Sequence, residues 1–357
     1  MGKVHNYSAG PCILPQEVFK EAAEAVINFN NLDLSLLEIS HRSKDFVDVM
    51  EEARSLVKEI LGVPEGYTVL FLQGGASLGF LKIAYNMMRE HKRGGYLVTG
   101  TWAQNAFKEC KFVGEGVKVA SSEDKNFNYI PKGYTIPENL DYLHYTSNNT
   151  IFGTQFKAIP ETNLPLVCDM SSDIFSKKID ISKFDLVYAG AQKNLGPAGS
   201  TLYIVKESVL GKSSVPVPTM LDLAVHHKGE SMFNTPPVYP IYVAMLTLRW
   251  LKKNGGLSWM EERNNKKATT LYTEIDANPL FTGTAAIEDR SYMNPTFVLN
   301  DTAHEKAFEA MLDEARISGL KGHRSVGGYR ASMYNALPQE SVQALVDVMK
   351  EFTRKNG

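Results

Sequence analysis

Residues 184–205, FDLVYAGAQKNLGPAGSTLYIV, hold the reading on which the fold turns. The apolar run FDLVYA reads as a buried strand, and TLYIV at 201–205 reads as another. Between them a glycine-rich stretch carries one lysine, Lys193. A lone ammonium straight off the end of a buried strand has two readings. Most lysines are exposed, so a surface loop is the plain one. The other is an amine nucleophile held in a cleft, where it can form a Schiff base.

Working outward, the pattern from about Pro15 to residue 205 alternates helical periodicity with short strand-like runs. EVFKEAAEAVINF and DFVDVMEEARSLVKEILG space their apolar residues as helices do, the second through Phe46, Met50, Ala53, Val57 and Leu61 before stopping at Gly62. Strands are expected at 67–72, 96–99, 140–146, 164–168, 184–189 and 201–205. This alternation predicts an α/β domain around a mainly parallel sheet, with helices on both faces. Ligands in such sheets sit beyond the carboxyl ends of the strands. A long helix through PPVYPIYVAMLTLRWLKKNGG then leaves the sheet, followed by the helical GLSWMEERNNKKATTLYTEIDA, a strand PTFVLN, a helix HEKAFEAMLDEARISGL, a strand GGYRASMYN and a last helix from Pro338. We expect a large domain over 16–251 and a smaller α+β domain formed by 1–15 and 252–357.

Composition narrows the function classes. A chain of 357 residues with net charge −2 offers no electrostatic reason to expect nucleic acid or an anionic membrane as partner. Cys12, Cys110 and Cys168 are widely spaced, which argues against a disulfide framework or a metal site and for a reducing compartment. The opening MGKVHNYSAGP has no apolar targeting segment, and Asn6 stands where a myristoylation signal needs Ser or Thr. No apolar run approaches the ~18 residues of a membrane span. The expectation is a soluble, cytoplasmic protein with no metal.

The candidate chemistry lies in the loops. Asp169 closes the LPLVC strand 24 residues before Lys193 and reads either as a turn or cap residue or as a buried acid. An acid and an amine opening on one cleft suit pyridoxal 5′-phosphate, whose ring nitrogen needs a carboxylate and whose aldehyde needs a lysine. LFLQGGASLGF supplies a strand, Gly74-Gly75, and then Ala76 and Ser77 opening a helix. That is either a tight turn or a phosphate cradle, and it is not a Walker loop. Trp102 is either core or a flat face for the cofactor ring. The pairs His41-Arg42 and His323-Arg324, with Arg330, read singly as solvated basic loops and jointly as contacts for a substrate with two anionic ends.

Five stretches, AGAQKNLGPAG, SMFNTPP, GHRSVGGYRASMYNA, HYTSNNTIFGTQF and NYSAGPCILP, together resemble the phosphoserine aminotransferase family of fold-type I pyridoxal-phosphate enzymes. The resemblance runs from Asn6 to Phe352. It implies that Lys193 is the Schiff-base lysine, Asp169 the pyridinium partner and Trp102 the stacking ring. It implies further that Thr150 reaches the phenolic oxygen, and that Ala76, Ser77 and Gln192 hold the cofactor phosphate. Asn234 and Thr235 would arrive from the second subunit of a homodimer. Arg330 would clamp the α-carboxylate, with His41, Arg42, His323 and Arg324 on the substrate phosphate. Part of the family carries arginine where this chain has Ser77, so phosphate recognition would rest more on the two His-Arg pairs. The implied reaction exchanges glutamate and 3-phosphohydroxypyruvate for 2-oxoglutarate and phosphoserine, as in serine biosynthesis, with 4-phosphohydroxythreonine of pyridoxine synthesis as a second substrate.

Two rival readings remain at this point. One is another reaction on the same scaffold, a cysteine desulfurase or a serine–glyoxylate type aminotransferase, although no cysteine here looks mobile and nucleophilic. The other is a non-catalytic anion- or nucleotide-binding α/β protein.

Overall fold

The lysine-bearing loop spans only residues 191–200, and that length decides how its two strands pair. A parallel return needs a crossover of a dozen or more residues, so the strands before and after this loop must lie antiparallel. They do.

The computed structural model describes residues 4–324 and 326–357. In chain order the elements begin with β1 His5–Asn6, α1 Gln16–Ile27, α2 Lys44–Leu61, β2 Tyr67–Leu72, α3 Gly75–Met87, β3 Arg93–Val98, α4 Thr101–Cys110 and β4 Glu115–Ser121. Next come β5 Tyr142–Thr146, β6 Asn148–Asn149, β7 Thr154–Gln155, β8 Leu166–Asp169, β9 Leu186–Gly190, β10 Thr201–Lys206, α5 Leu223–Lys228 and α6 Val238–Lys253. The remainder is α7 Gly256–Ala277, β11 Phe281–Gly283, β12 Thr296–Leu299, α8 Glu305–Glu314, β13 Ile317–Ser318, β14 Tyr329–Arg330 and α9 Gln339–Asn356.

Seven strands form the main sheet in the order β2-β10-β9-β8-β5-β3-β4. Pairing is parallel throughout except that β10 runs against both of its neighbours. The fold is therefore a mainly parallel α/β sheet with one reversed strand. Burial on both faces explains why β2, β5, β8 and β9 read as continuous apolar runs rather than alternating ones. One face packs on α1, α2 and α6 through Phe46, Met50, Val57, Ile241 and Met245. The other packs on α3 and α4 through Phe80, Ile83, Met87 and Ala106. As read from the sequence, α2 ends at Gly62, whose left-handed φ of 60° lets its N–H return to Lys58 and Glu59.

A separate core gathers β11, β12, α8, α9 and the second half of α7 around Phe281, Phe297, Phe308 and Phe352, and includes Tyr7 from the start of the chain. There β1 pairs in parallel with β13. Helix α7 joins the two cores, with Leu257 and Met260 in the first and Leu271 and Ile275 in the second. Three expectations need correction. Helix α6 does not leave the sheet; it packs against it through Ile241 and Met245. The helix expected through residue 320 stops at Glu314, because Arg316 turns left-handed (φ 58°) and Ile317 and Ser318 pair with the N-terminal strand. The strand expected over GGYRASMYN shrinks to Tyr329–Arg330, since the residues after it bond to loops and not to a neighbouring strand. Among the described residues no helix is long and apolar enough to cross a membrane, and no His, Cys, Asp and Glu side chains gather into a metal-binding group.

Candidate active site

The parallel strands all end on one edge of the sheet, and Asp169, Lys193 and the turns before α3 and α4 are found there. Asp169 is the last residue of β8, and Lys193 lies three residues beyond the end of β9. The register pairs Asp169 with Tyr188 on β9 and with Thr146 on β5, so the acid sits between two buried strands.

The lysine loop is wound tightly. The Ala191 carbonyl accepts from the backbone N–H groups of Lys193, Leu195 and Gly196 at 2.8, 3.2 and 2.8 Å. Gly196 must be small, because a Cβ there would lie 3.3 Å from the Ala244 backbone of α6. The Lys193 carbonyl accepts from Cys12 Sγ at 2.8 Å. Its Nζ donates to Thr150 Oγ1 at 2.7 Å and stands 6.0 Å from the centre of the Trp102 ring. Burial pulls the amine down to about 8, opposed by the charge of Asp169 and assisted by that of Arg330.

Asp169 is 3% exposed. One of its oxygens, Oδ1, accepts from the Ser171 N–H at 2.9 Å and from Ser171 Oγ at 2.6 Å. Burial raises its pKa, while the two Ser171 bonds and Lys193 hold it down. The carboxyl and the amine thus face each other's fields at neighbouring strand ends.

Around them the other candidates take recognisable places. Gly74 (φ 111°) caps α3 without any side-chain bond, so the N–H groups of the first turn, Gly75, Ala76 and Ser77, point outward. Ser77 is exposed and Ala76 half-buried. Gln192 folds back over Gly190, where a Cβ would come within 2.8 Å of its Oε1. Trp102 lies in the first turn of α4, and its buried Nε1 bonds none of the described residues. Thr150 follows β6 and is buried. Asn234 and Thr235 border the same edge in this chain, since Gln73 Nε2 donates to the Thr235 carbonyl at 2.6 Å.

Arg330, on β14 opposite Thr296, has a buried Nε that bonds none of the described residues, and burial lowers its pKa. The structure therefore gathers Lys193, Asp169, Thr150, Trp102, Gln192 and Arg330 around the ends of β8 and β9. The His-Arg pairs lie on two loops. His41 and Arg42 lie on the loop before α2, with Arg42 exposed. His323 and Arg324 lie on a loop closed by Gly322 N–H to Gly328 O at 2.8 Å, again with the arginine exposed.

Several contacts lay outside the sequence reading. Ser171, in DMSSD, gave no signal beyond a turn. Asn194 donates through Nδ2 to the Ser172 carbonyl at 3.2 Å and accepts through Oδ1 from the Asn335 N–H at 3.0 Å. Lys267, fully buried on α7, donates to the carbonyls of Met333 and Tyr334 at 2.9 and 2.7 Å. Tyr334 donates to the Ala9 carbonyl at 2.7 Å. Together they lock the segment after Arg330 against the loops after Asp169 and Lys193.

These groups fit a planar, phosphorylated pyridine aldehyde. The uncapped helix start suits a phosphate, the Trp102 indole suits a ring face, the Arg330 guanidinium suits an anion, and the acid and amine suit the ring's two reactive ends. The cysteines do not suit nucleophilic work: Cys110 and Cys168 are fully buried, and burial pushes Cys12 up to about 12.

Residues 4–345 match the class-V aminotransferase family. The chain is 64% identical to the phosphoserine aminotransferase of Flavobacterium psychrophilum over 99% of both chains. Among solved structures it superposes on the phosphoserine aminotransferase of Bacillus circulans subsp. alkalophilus with a TM-score of 0.96 at 44% identity, covering 99% of each chain. It superposes on the PLP-bound phosphoserine aminotransferase of Trichomonas vaginalis with a TM-score of 0.93 at 37% identity, covering 98% of this chain and 100% of the other.

Proposed function

The chain belongs to the class-V aminotransferases and, within them, to the phosphoserine aminotransferases; from that premise we propose that it moves an amino group between glutamate and 3-phosphohydroxypyruvate, giving 2-oxoglutarate and O-phosphoserine. One observation carries the reading: Lys193 and Asp169 sit at neighbouring strand ends within each other's electrostatic reach, with Thr150 on the lysine nitrogen. When bound, pyridoxal 5′-phosphate supplies an electron sink for the carbanion left at the substrate Cα.

The chain's own residues do the rest. Lys193 would hold the cofactor through its amine, and that amine, when free, would take and return the proton at the substrate Cα. Its pKa near 8 leaves a useful share of free base at neutral pH. Asp169 keeps the ring nitrogen protonated, Trp102 covers one ring face and Thr150 orients the phenolic oxygen. Ala76, Ser77 and Gln192 hold the cofactor phosphate, with Asn234 and Thr235 supplied across a homodimer interface. Arg330 binds the substrate α-carboxylate in a two-pronged grip. His41, Arg42, His323 and Arg324 bind the substrate phosphate, some of them from the second subunit. We place the enzyme in the cytoplasm, in serine synthesis, with 4-phosphohydroxythreonine as a second substrate.

The test pairs a variant with a substrate comparison. Lys193→Ala is expected to abolish transamination, and phosphoserine is expected to outperform serine as amino donor at least tenfold. Full activity in Lys193→Ala, or equal rates for the two donors, refutes the mechanism or the phosphate selection respectively.

A further inference from the structure

Two hydrogen bonds fall on one oxygen of Asp169 and none of the described residues bonds the other. Ser171 supplies both, from its N–H and its Oγ, to Oδ1. The same Oγ accepts from the Gly190 N–H at 3.0 Å, at the end of β9, three residues before Lys193. Ser171 is 5% exposed, so these are bonds shielded from water. A carboxylate held this way has its plane fixed and its two oxygens made unequal. Oδ1 is committed to the protein, and Oδ2 is left for a partner in the cleft.

We propose that Ser171 is a positioning residue for transamination: it turns Oδ2 of Asp169 toward the cofactor ring nitrogen, holds the carboxyl ionised, and ties the acid's strand end to the lysine's. This rests on the reading of Asp169 as the ring-nitrogen partner. The hydroxyl works through a simple competition for one proton. Between the ring nitrogen and Oδ2, the proton sits on nitrogen as long as the carboxylate is the weaker base. Burial alone pushes the other way, raising the basicity of Asp169. The donated O–H of Ser171 stabilises the anion and counters that push. The remaining groups that bear on this balance are Lys193 and Asp173, of opposite sign, the Cys168 thiol next to the acid, and the buried phenols Tyr188 and Tyr203. Without the Ser171 hydroxyl the proton moves from the ring nitrogen to Oδ2, and the ring becomes a poorer electron sink.

The experiment uses holoenzyme loaded with cofactor labelled with nitrogen-15 in the ring, read by NMR at pH 7.5, alongside cofactor affinity by equilibrium dialysis. Wild type should give the resonance of a protonated ring. Ser171→Ala should move it toward the unprotonated position and weaken cofactor binding roughly tenfold, as expected for one bond to a charged group. Ser171→Thr, which keeps the hydroxyl, should restore the wild-type resonance. If S171A keeps that resonance while Asp169→Asn loses it, Ser171 has no such role and the proposal falls alone. If S171T shifts as far as S171A, packing and not the hydroxyl is responsible, and the proposal is again overturned. If D169N itself retains the protonated signal, Asp169 is not the partner, and the proposal falls with that reading.

Discussion

The titration of Lys193 can be followed directly in cofactor-free protein. Burial brings its amine from 10.5 to about 8. At pH 7 that shift raises the free-base fraction from about 0.03% to about 9%, roughly 300-fold. Only free base attacks an aldehyde, so the capture rate should rise tenfold per pH unit up to about 8 and then level off. The protein is incubated with pyridoxal across pH 6–11, the adduct is fixed with borohydride, and the Lys193 peptide is quantified by mass spectrometry. Lys44 serves as the internal contrast: it is exposed, and its bond to Asp48 raises its pKa, so its labelling should still be climbing well above pH 9. The neighbours set the sign of two shifts. Asp169→Asn removes the charge that holds the ammonium on, and should move the plateau to lower pH. Arg330→Leu removes a like charge, and should move it higher. The same titration appears in stability. The folded pKa lies below the unfolded one, so the unfolded chain binds more protons between about 8 and 10.5, and stability climbs with pH across that window. The climb is at most about 3 kcal/mol, and less because the side chain is partly open to the cleft. A Lys193 adduct rate still rising tenfold between pH 9 and 10 would refute this account of the amine.

Two further substitutions probe the buried frame. Asn194→Ala leaves the Asn335 N–H and the Ser172 carbonyl without partners, which should cost about 2–4 kcal/mol in urea unfolding. Asn254→Ala, whose amide bonds the Trp250 carbonyl on an exposed helix end, should cost under about 1 kcal/mol. Lys267→Met removes two hydrogen bonds and also an amine whose pKa burial drives far down. In wild type the unfolded chain holds that proton more tightly, so stability gains with pH up to about 10.5. The variant lacks this gain, so its deficit should be largest near pH 10 and shrink toward pH 6; an equal deficit at both pH values in guanidinium titrations would contradict the burial argument.

How much of this was legible depended on whether a residue's partner lies nearby in sequence. The main strands were readable because both their faces are buried. Strand β3 was read short, as 96–99, because Arg93, Gly94 and Gly95 look like a loop. The glycines are there because a Cβ would lie 2.5 Å from the Tyr142 hydroxyl or 2.7 Å from Leu140 Cδ1. Strand β4 escaped notice for another reason. As the sheet's outer strand it is half-exposed along its length, so EGVKVAS mixes polar and apolar residues as a loop does. The reversed direction of β10 was implicit in the length of the lysine loop, which is too short for a crossover.

The site divides along the same line. Lys193 and Asp169 stood out because an ionisable residue at the end of an apolar strand is conspicuous in one dimension. Ser171, Asn194 and Lys267 were silent, since a serine in a turn, an asparagine in a glycine-rich loop and a lysine on a helix are unremarkable until their partners are known. Those partners are 19, 141 and 66 residues away for the bonds to Gly190, Asn335 and Met333. The division has a physical cause. Reactive groups must sit at strand ends, where the cleft forms, so sequence pattern exposes them. The groups that aim them act through single hydrogen bonds between loops, and such bonds leave no periodicity. Each of those bonds fixes a loop that carries a candidate reactive group: Ser171 the acid, Asn194 the lysine, Lys267 the segment following Arg330. The precision of this cleft is therefore set by residues that the chemistry itself never touches, and substitutions there should alter protonation and alignment before they alter the fold.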